Sequence, residues 1–190
     1  MRELTFTIRF HGPFLIGSGL SGGGLDETAR ATNLVPAESL KGAMRASAER
    51  IVRVPPQLVQ QIFGAPGTRG GAAGDGAWAW NDAGPASSFI RHRRARNRID
   101  ATTRLIQPEA LAFTEEVWQE PGSTVTFSVE PKKYLDEQVL RGHSAILRAS
   151  SYGVTALGQW RNRGAGTVTV RPIDTEIDLS ALTDILGGPR

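Results

Sequence analysis

Glu3-Leu-Thr-Phe-Thr-Ile-Arg-Phe10 alternates polar and apolar residues, and this period of two sets Leu4, Phe6, Ile8 and Phe10 on one face of a half-buried strand. The spacing then turns helical. Ser39 is placed to cap a helix in which Leu40, Ala43, Met44, Ser47, Ala48 and Ile51 recur on one side, with Lys41 and Arg45 one turn apart on another, and Pro55 and Pro56 end it. A short apolar piece, Leu58 to Phe63, follows without a defined type. Ala77-Trp-Ala-Trp80 and Ser123-Thr-Val-Thr-Phe-Ser-Val129 alternate like strands. Leu135, Val139, His143, Ile146 and Leu147 mark a second helix ending before Gly153, and Thr167-Val-Thr-Val170 a last strand. Strand, helix, strand, strand, helix, strand is the order of an α+β, ferredoxin-like or RRM-like fold. Two helices then cover one face of a sheet and leave the other for a nucleic acid.

Two glycine-rich stretches interrupt this order. Residues 12–33, with Gly22, Gly23 and Gly24 in a row, read as a long articulated loop. In residues 64–76 six of thirteen positions are glycine and no apolar period survives, so mobility is expected. No repeat or boundary divides residues 1–190, which read as a single domain. The absence of cysteine excludes a disulfide scaffold, an iron–sulfur cluster, a thiolate zinc site and a cysteine nucleophile. No segment has signal-peptide or membrane-spanning character, so the expected setting is the cytoplasm, with no membrane partner.

The net charge is only +3, but the basic residues are unevenly placed. Arg91-His-Arg-Arg-Ala-Arg-Asn-Arg98 holds five arginines in eight residues, with Arg104 just beyond. Arg91, Arg93, Arg94, Arg96 and Arg98 repel one another unless a polyanion or water relieves them, and guanidinium forks match phosphate oxygens. About four phosphate contacts on a single strand would give a log–log salt slope near −3. A solvated loop, or pairing with an acidic patch on a neighbouring subunit, accounts for the same run. Between the second helix and the last strand, Gly158-Gln-Trp-Arg-Asn-Arg-Gly-Ala-Gly166 is a second basic segment. Arg161 and Arg163 supply charge there, and Gly164 and Gly166 allow either close approach of phosphate to the backbone or tight sheet geometry. Trp160 is the better placed aromatic for stacking on a base. Trp78 and Trp80 are read as facing opposite sides of the sheet, so that at most one meets a base and both more naturally serve as core or interface residues.

Four segments stand in order along nearly the whole chain. They are Leu15-Ile-Gly-Ser-Gly19 with Gly23-Gly-Leu-Asp26; Val35-Pro-Ala-Glu-Ser-Leu-Lys-Gly-Ala-Met-Arg45; Arg98-Ile-Asp-Ala-Thr-Thr-Arg104 through Ala110-Leu-Ala-Phe-Thr-Glu115; and Leu157 to Gly166. Together they resemble the RAMP superfamily, and within it the backbone subunit of type III CRISPR effector complexes. The second segment is the most specific, although Ala37 and Glu38 replace the family's usual glycine and first serine, and Glu38 weakens an anion contact at that helix start. The resemblance implies a subunit that stacks as a filament on guide RNA (crRNA) beside other effector subunits and a complementary target RNA. Lys41, Arg45 and the 158–166 turn would hold the guide, and an inserted hairpin, the thumb, would run from about 89 to 115.

The resemblance also implies metal-dependent cleavage of target RNA through an aspartate in the first glycine-rich loop, and Asp26 occupies the matching place. A carboxylate on a pliable loop can bind hydrated Mg²⁺ or another divalent cation, or orient a ribose 2′-hydroxyl, with Glu27 as its assistant. Asp100 more simply neutralises an arginine. Two other classes stay open: a structural RNA-binding subunit that cuts nothing, and a metal-independent guide-processing endoribonuclease using His11 or His92 as base. His143 falls on the apolar stripe of the second helix and reads as core.

Overall fold

In a computed structural model, which describes residues 3–65, 74–97, 99–107, 111–174 and 177–187, the alternating stretch forms strand β1, Leu4–Phe10. Its apolar side chains are almost fully buried, while Thr5, Thr7 and Arg9 look the other way. β1 pairs antiparallel with β5 (Val125–Pro131) on one side and with β6 (Val168–Pro172) on the other. β2 (Trp78–Trp80) pairs with β5, which gives the order β2-β5-β1-β6. With helices α1 (Ala37–Ser47) and α3 (Glu137–Tyr152) as the two crossovers, this is the ferredoxin-like arrangement expected from the element order.

The helical side differs from the sequence reading in four respects. Ser39 caps nothing: α1 starts at Ala37, whose N–H donates to the Asp82 carboxylate at 2.7 Å, so the cap comes from a remote residue. The helix passes through a π-helical turn, Ala48–Val52, and stops at Arg53, which is left-handed at φ 62°. Pro56 then opens a new helix, α2 (Pro56–Phe63), because proline fits a first helical position where no N–H acceptor is needed. The undefined apolar piece is thus a helix that buries Val59, Ile62 and Phe63. A fourth helix, α4 (Leu179–Leu186), was not expected. Asp178 caps it by accepting from the Ala181 N–H at 3.0 Å, and an Arg141–Asp178 ion pair holds it to α3.

Trp78 and Trp80 share a face, as residues two apart on a strand must, and that face is the core. Trp78 is fully buried, and its indole N–H donates to His143 Nδ1 at 3.3 Å. Trp80 packs against Phe63 and Phe127. The opposite face of the sheet carries Thr5, Thr7, Thr126, Ser128 and Thr169 and presents no aromatic ring.

Between β2 and β5 an antiparallel hairpin is inserted, β3 (Phe89–Arg96) and β4 (Ala112–Gln119). It runs four residues past the expected end. Phe89 meets Phe10 and Phe14 edge to face, and Phe14 exchanges backbone hydrogen bonds with Val117 at 2.9 Å, so the hairpin base is sewn to the core. Most of the glycine-rich 64–76 segment, residues 66–73, lies outside the described residues. No helix among the described residues is long and apolar enough to cross a membrane.

Candidate nucleic-acid interface

The strand pairing divides the arginine run. With Arg91 opposite Val117, Arg93 opposite Glu115 and Arg94 opposite Thr114, the side chains of Arg91 and Arg93 leave one face of the hairpin, and those of His92, Arg94 and Arg96 leave the other.

The Arg91 face meets the first glycine-rich loop. Arg91 donates to the carbonyl oxygens of Arg30 and Ala31 at 2.6 and 2.7 Å and pairs with Glu115 at 3.5 Å. Glu115 in turn accepts from the Ala29 N–H at 2.7 Å. Arg93 reaches the Gly23 carbonyl at 3.5 Å. Asp26 belongs to the same seam: its N–H donates to the Phe113 carbonyl, and its Oδ2 accepts the Phe113 N–H, both at 2.8 Å. The loop therefore adds to the free edge of β4, and Asp26 bonds the strand with backbone and side chain together. Its carboxylate is exposed and keeps Oδ1 beyond that contact.

The other face turns toward the 158–166 segment. Arg94 is paired with the nearly buried carboxylate of Glu116. Arg96 donates from Nε to Thr114 at 3.2 Å, and its guanidinium stands over the Trp160 indole, 3.5 Å from the ring centre. Burial first, then the charge of Arg94 and more weakly that of Arg163, hold the Arg96 guanidinium below its ordinary pKa, although an arginine stays cationic at neutral pH. A cleft of about 450 Å³ opens here, lined by Arg94, Arg96, Glu116, Trp160, Arg163 and Gly164 among others. A shallower one of about 600 Å³ lies along residues 158–163, including Arg161, so that Trp160 and Arg163 border both.

The two glycines in this turn have different reasons to be there. At Gly166 (φ 74°) a Cβ would stand 2.0 Å from the Leu157 carbonyl, and its N–H already donates to the Pro13 carbonyl at 2.8 Å. Gly166 is thus required by tight packing, and its N–H is not open to a phosphate. Gly164 (φ 80°) ends the short helical turn Arg161–Arg163 and faces open space.

The remaining sequence candidates are scattered. Arg45 pairs with Glu49 and donates to the Gly64 carbonyl, each at 2.9 Å, which ties α1 to the end of α2. Lys41 is half-buried on α1, and neither residue lines the cleft. Arg98 lies outside the described residues. Asp100 accepts from the backbone of Thr103 and Thr102, bonds that lower its pKa and organise a turn. His11 bonds Thr169 at 2.7 Å, His92 is exposed on the hairpin, and His143 is buried as expected. Among the described residues no three Asp, Glu or His side chains converge to hold a metal ion. Glu116 and Thr114, which position Arg94 and Arg96, carry no local signal of that role, because the alternation from Thr114 to Trp118 is broken by the adjacent buried pair Glu116 and Val117.

Comparison with known proteins completes the description. The family model of the RAMP superfamily matches residues 7–169. Among solved structures, the fold is similar to a chain of the type III-B Cmr-β complex bound to cognate target RNA, with a TM-score of 0.65 and 16% identity over 97% of this chain and 99% of that one. A chain of the apo state of type III-B Cmr-β gives a TM-score of 0.60 and 14% identity over 90% and 97%. A chain of a type IV-B CRISPR complex gives 0.59 and 12% over 92% and 91%. No curated protein sequence matches the chain.

Proposed function

Because this chain belongs to the RAMP superfamily, we propose that it is a guide-RNA-binding subunit of a CRISPR effector complex, gripping the RNA backbone in the cleft between the β3–β4 hairpin and the 158–166 turn. The observation that carries this reading is the cleft itself. Folding brings Arg94 and Arg96 from the hairpin against Arg163, Gly164 and Trp160 from the far end of the chain. Clustered guanidinium groups beside a glycine with open space around it suit a phosphate backbone. The likeness in fold to chains of CRISPR complexes, one of them bound to target RNA, supports the same reading.

On this reading the hairpin is the thumb, the partners are guide RNA, complementary target RNA and other effector subunits, and the protein works in the cytoplasm. Association of copies along the guide is part of it. The exposed apolar side chains Ile90, Trp118, Ile99, Leu105, Ile106 and Leu111 on the hairpin and its tip offer surface for a neighbour. The direct experiment is to express the chain beside its genomic neighbours, purify it and sequence the nucleic acid it carries. Short RNAs of uniform 5′ sequence with repeat-derived tags are the expected result; heterogeneous RNA or none overturns the guide-binding reading.

A second reading, cleavage of target RNA through Asp26, is favoured by one observation: the carboxylate is anchored through Oδ2 yet exposed, with Oδ1 directed elsewhere. One free carboxylate oxygen does not make a resident metal site, so a divalent cation here would be a hydrated ion held chiefly by RNA phosphates. Asp26→Asn keeps an acceptor for the Phe113 N–H and removes the charge. Lost target cleavage with intact RNA binding supports this reading, and unchanged cleavage removes it.

A further inference from the structure

We propose that the Trp160–Arg96 stack is a platform for one unpaired nucleobase, a subsite adjoining the phosphate contacts and dependent on the RNA-binding reading above. Three observations converge on it. First, Trp160 is left-handed, at φ 55° and ψ 25°, a conformation that a bulky side chain seldom adopts. Its carbonyl accepts the Arg163 N–H at 2.7 Å, so the turn holds it there. The outcome of that geometry is an indole that packs at the margin of the core and carries the Arg96 guanidinium over its ring.

Second, the Arg96 guanidinium is oriented from behind by Thr114, and Glu116 engages Arg94, which leaves the stacked pair bordering an open cleft. An indole and a guanidinium in contact present a flat, cationic, polarisable surface, and the group that best fits it is another flat π-system. A cleft of about 450 Å³ lies within the range of roughly 300–1,000 Å³ found for small-molecule sites. Arg163 stands at its rim beside the open space at Gly164, where the phosphate attached to a stacked nucleotide would need charge and room.

Third, the sheet is disqualified as a stacking surface. An RRM-like fold commonly stacks bases on aromatic residues of its open sheet face. Here that face carries threonine, serine and charged side chains such as Arg9 and Arg171, and Trp78 and Trp80 point into the core. Base stacking therefore has its platform on the turn before β6 instead. Every base has a π-face, so the subsite accepts any of the four with little sequence preference.

The test uses the full chain and a single-stranded RNA of about ten nucleotides, intact or with an abasic ribose at each position in turn. For the wild type, one abasic position weakens binding by about 5- to 100-fold. Trp160→Ala weakens binding of the intact strand by a similar factor and abolishes the penalty at that position, whereas Trp160→Phe retains most of both. Circular dichroism confirms that the variants are folded. An unchanged abasic profile in Trp160→Ala, with the wild type binding RNA, overturns the platform and leaves the RNA reading standing. Failure of the wild type to bind any of the strands overturns both.

Discussion

The Arg96 guanidinium sits 3.5 Å from the centre of the Trp160 ring and thereby clasps the inserted hairpin to the turn before the last strand. Lysine keeps the charge at this position but lacks the flat fork that stacks and donates together. Arg96→Lys is expected to lower stability by part of the about 0.5–2 kcal/mol of a cation–π contact and Arg96→Ala by the whole of it, as read from urea unfolding. RNA affinity falls with it.

Arg163 and Arg91 should separate phosphate contact from scaffolding. If Arg163 meets one phosphate, Arg163→Ala reduces the log–log salt slope of RNA binding by about 0.7. Titrations at several salt concentrations measure it directly.

Arg91 has its donors on Arg30, Ala31 and Glu115. Arg91→Ala is therefore expected to leave that salt slope unchanged and to release the loop it fastens, seen as faster limited proteolysis within residues 12–33. A reduced slope with unaltered proteolysis would reverse the assignment.

The two turn glycines predict unequal penalties. Gly164→Ala meets no atom and suffers only its positive φ, about 1–2 kcal/mol, which lowers the melting temperature of a domain this size by about 2–8 °C. Gly166→Ala adds a collision with the Leu157 carbonyl, so its melting temperature falls further. Thermal unfolding followed by circular dichroism ranks them.

His143 makes stability depend on pH. Burial lowers its pKa below the ordinary 6.5. As the pH drops through 6.5 the unfolded chain takes up the proton before the folded one, so this contribution is full above that value and is lost progressively below it. His143→Gln, which keeps an acceptor for the Trp78 indole, should show a smaller loss of urea midpoint between pH 7.5 and pH 5 than the wild type.

How far the sequence could be read follows from where each residue's surroundings originate. β1 was legible because one face is dry and the other wet, and that contrast is written in its own alternation. α4 had a readable signal, Asp178 as N-cap before Ala181, Leu182 and Ile185 at helical spacing, although eight residues at the end of the chain are easily passed over. β3 carried no such signal. Only Phe89 of its eight residues is buried, and arginines stand on both faces because the groups that satisfy them lie elsewhere in the chain.

The chain's local patterns determined the order of the four sheet strands and the two helices between them, and the identity of the two basic segments, since each depends on neighbours a few residues away. Which arginines stay available was decided only by the tertiary structure. Availability depends on whether an acceptor lies within hydrogen-bonding reach. Arg94 finds its acceptor on β4 once the hairpin closes, whereas the carbonyls that engage Arg91 come from the loop before α1 and the ring under Arg96 from the turn before β6, segments that meet β3 only when the hairpin docks.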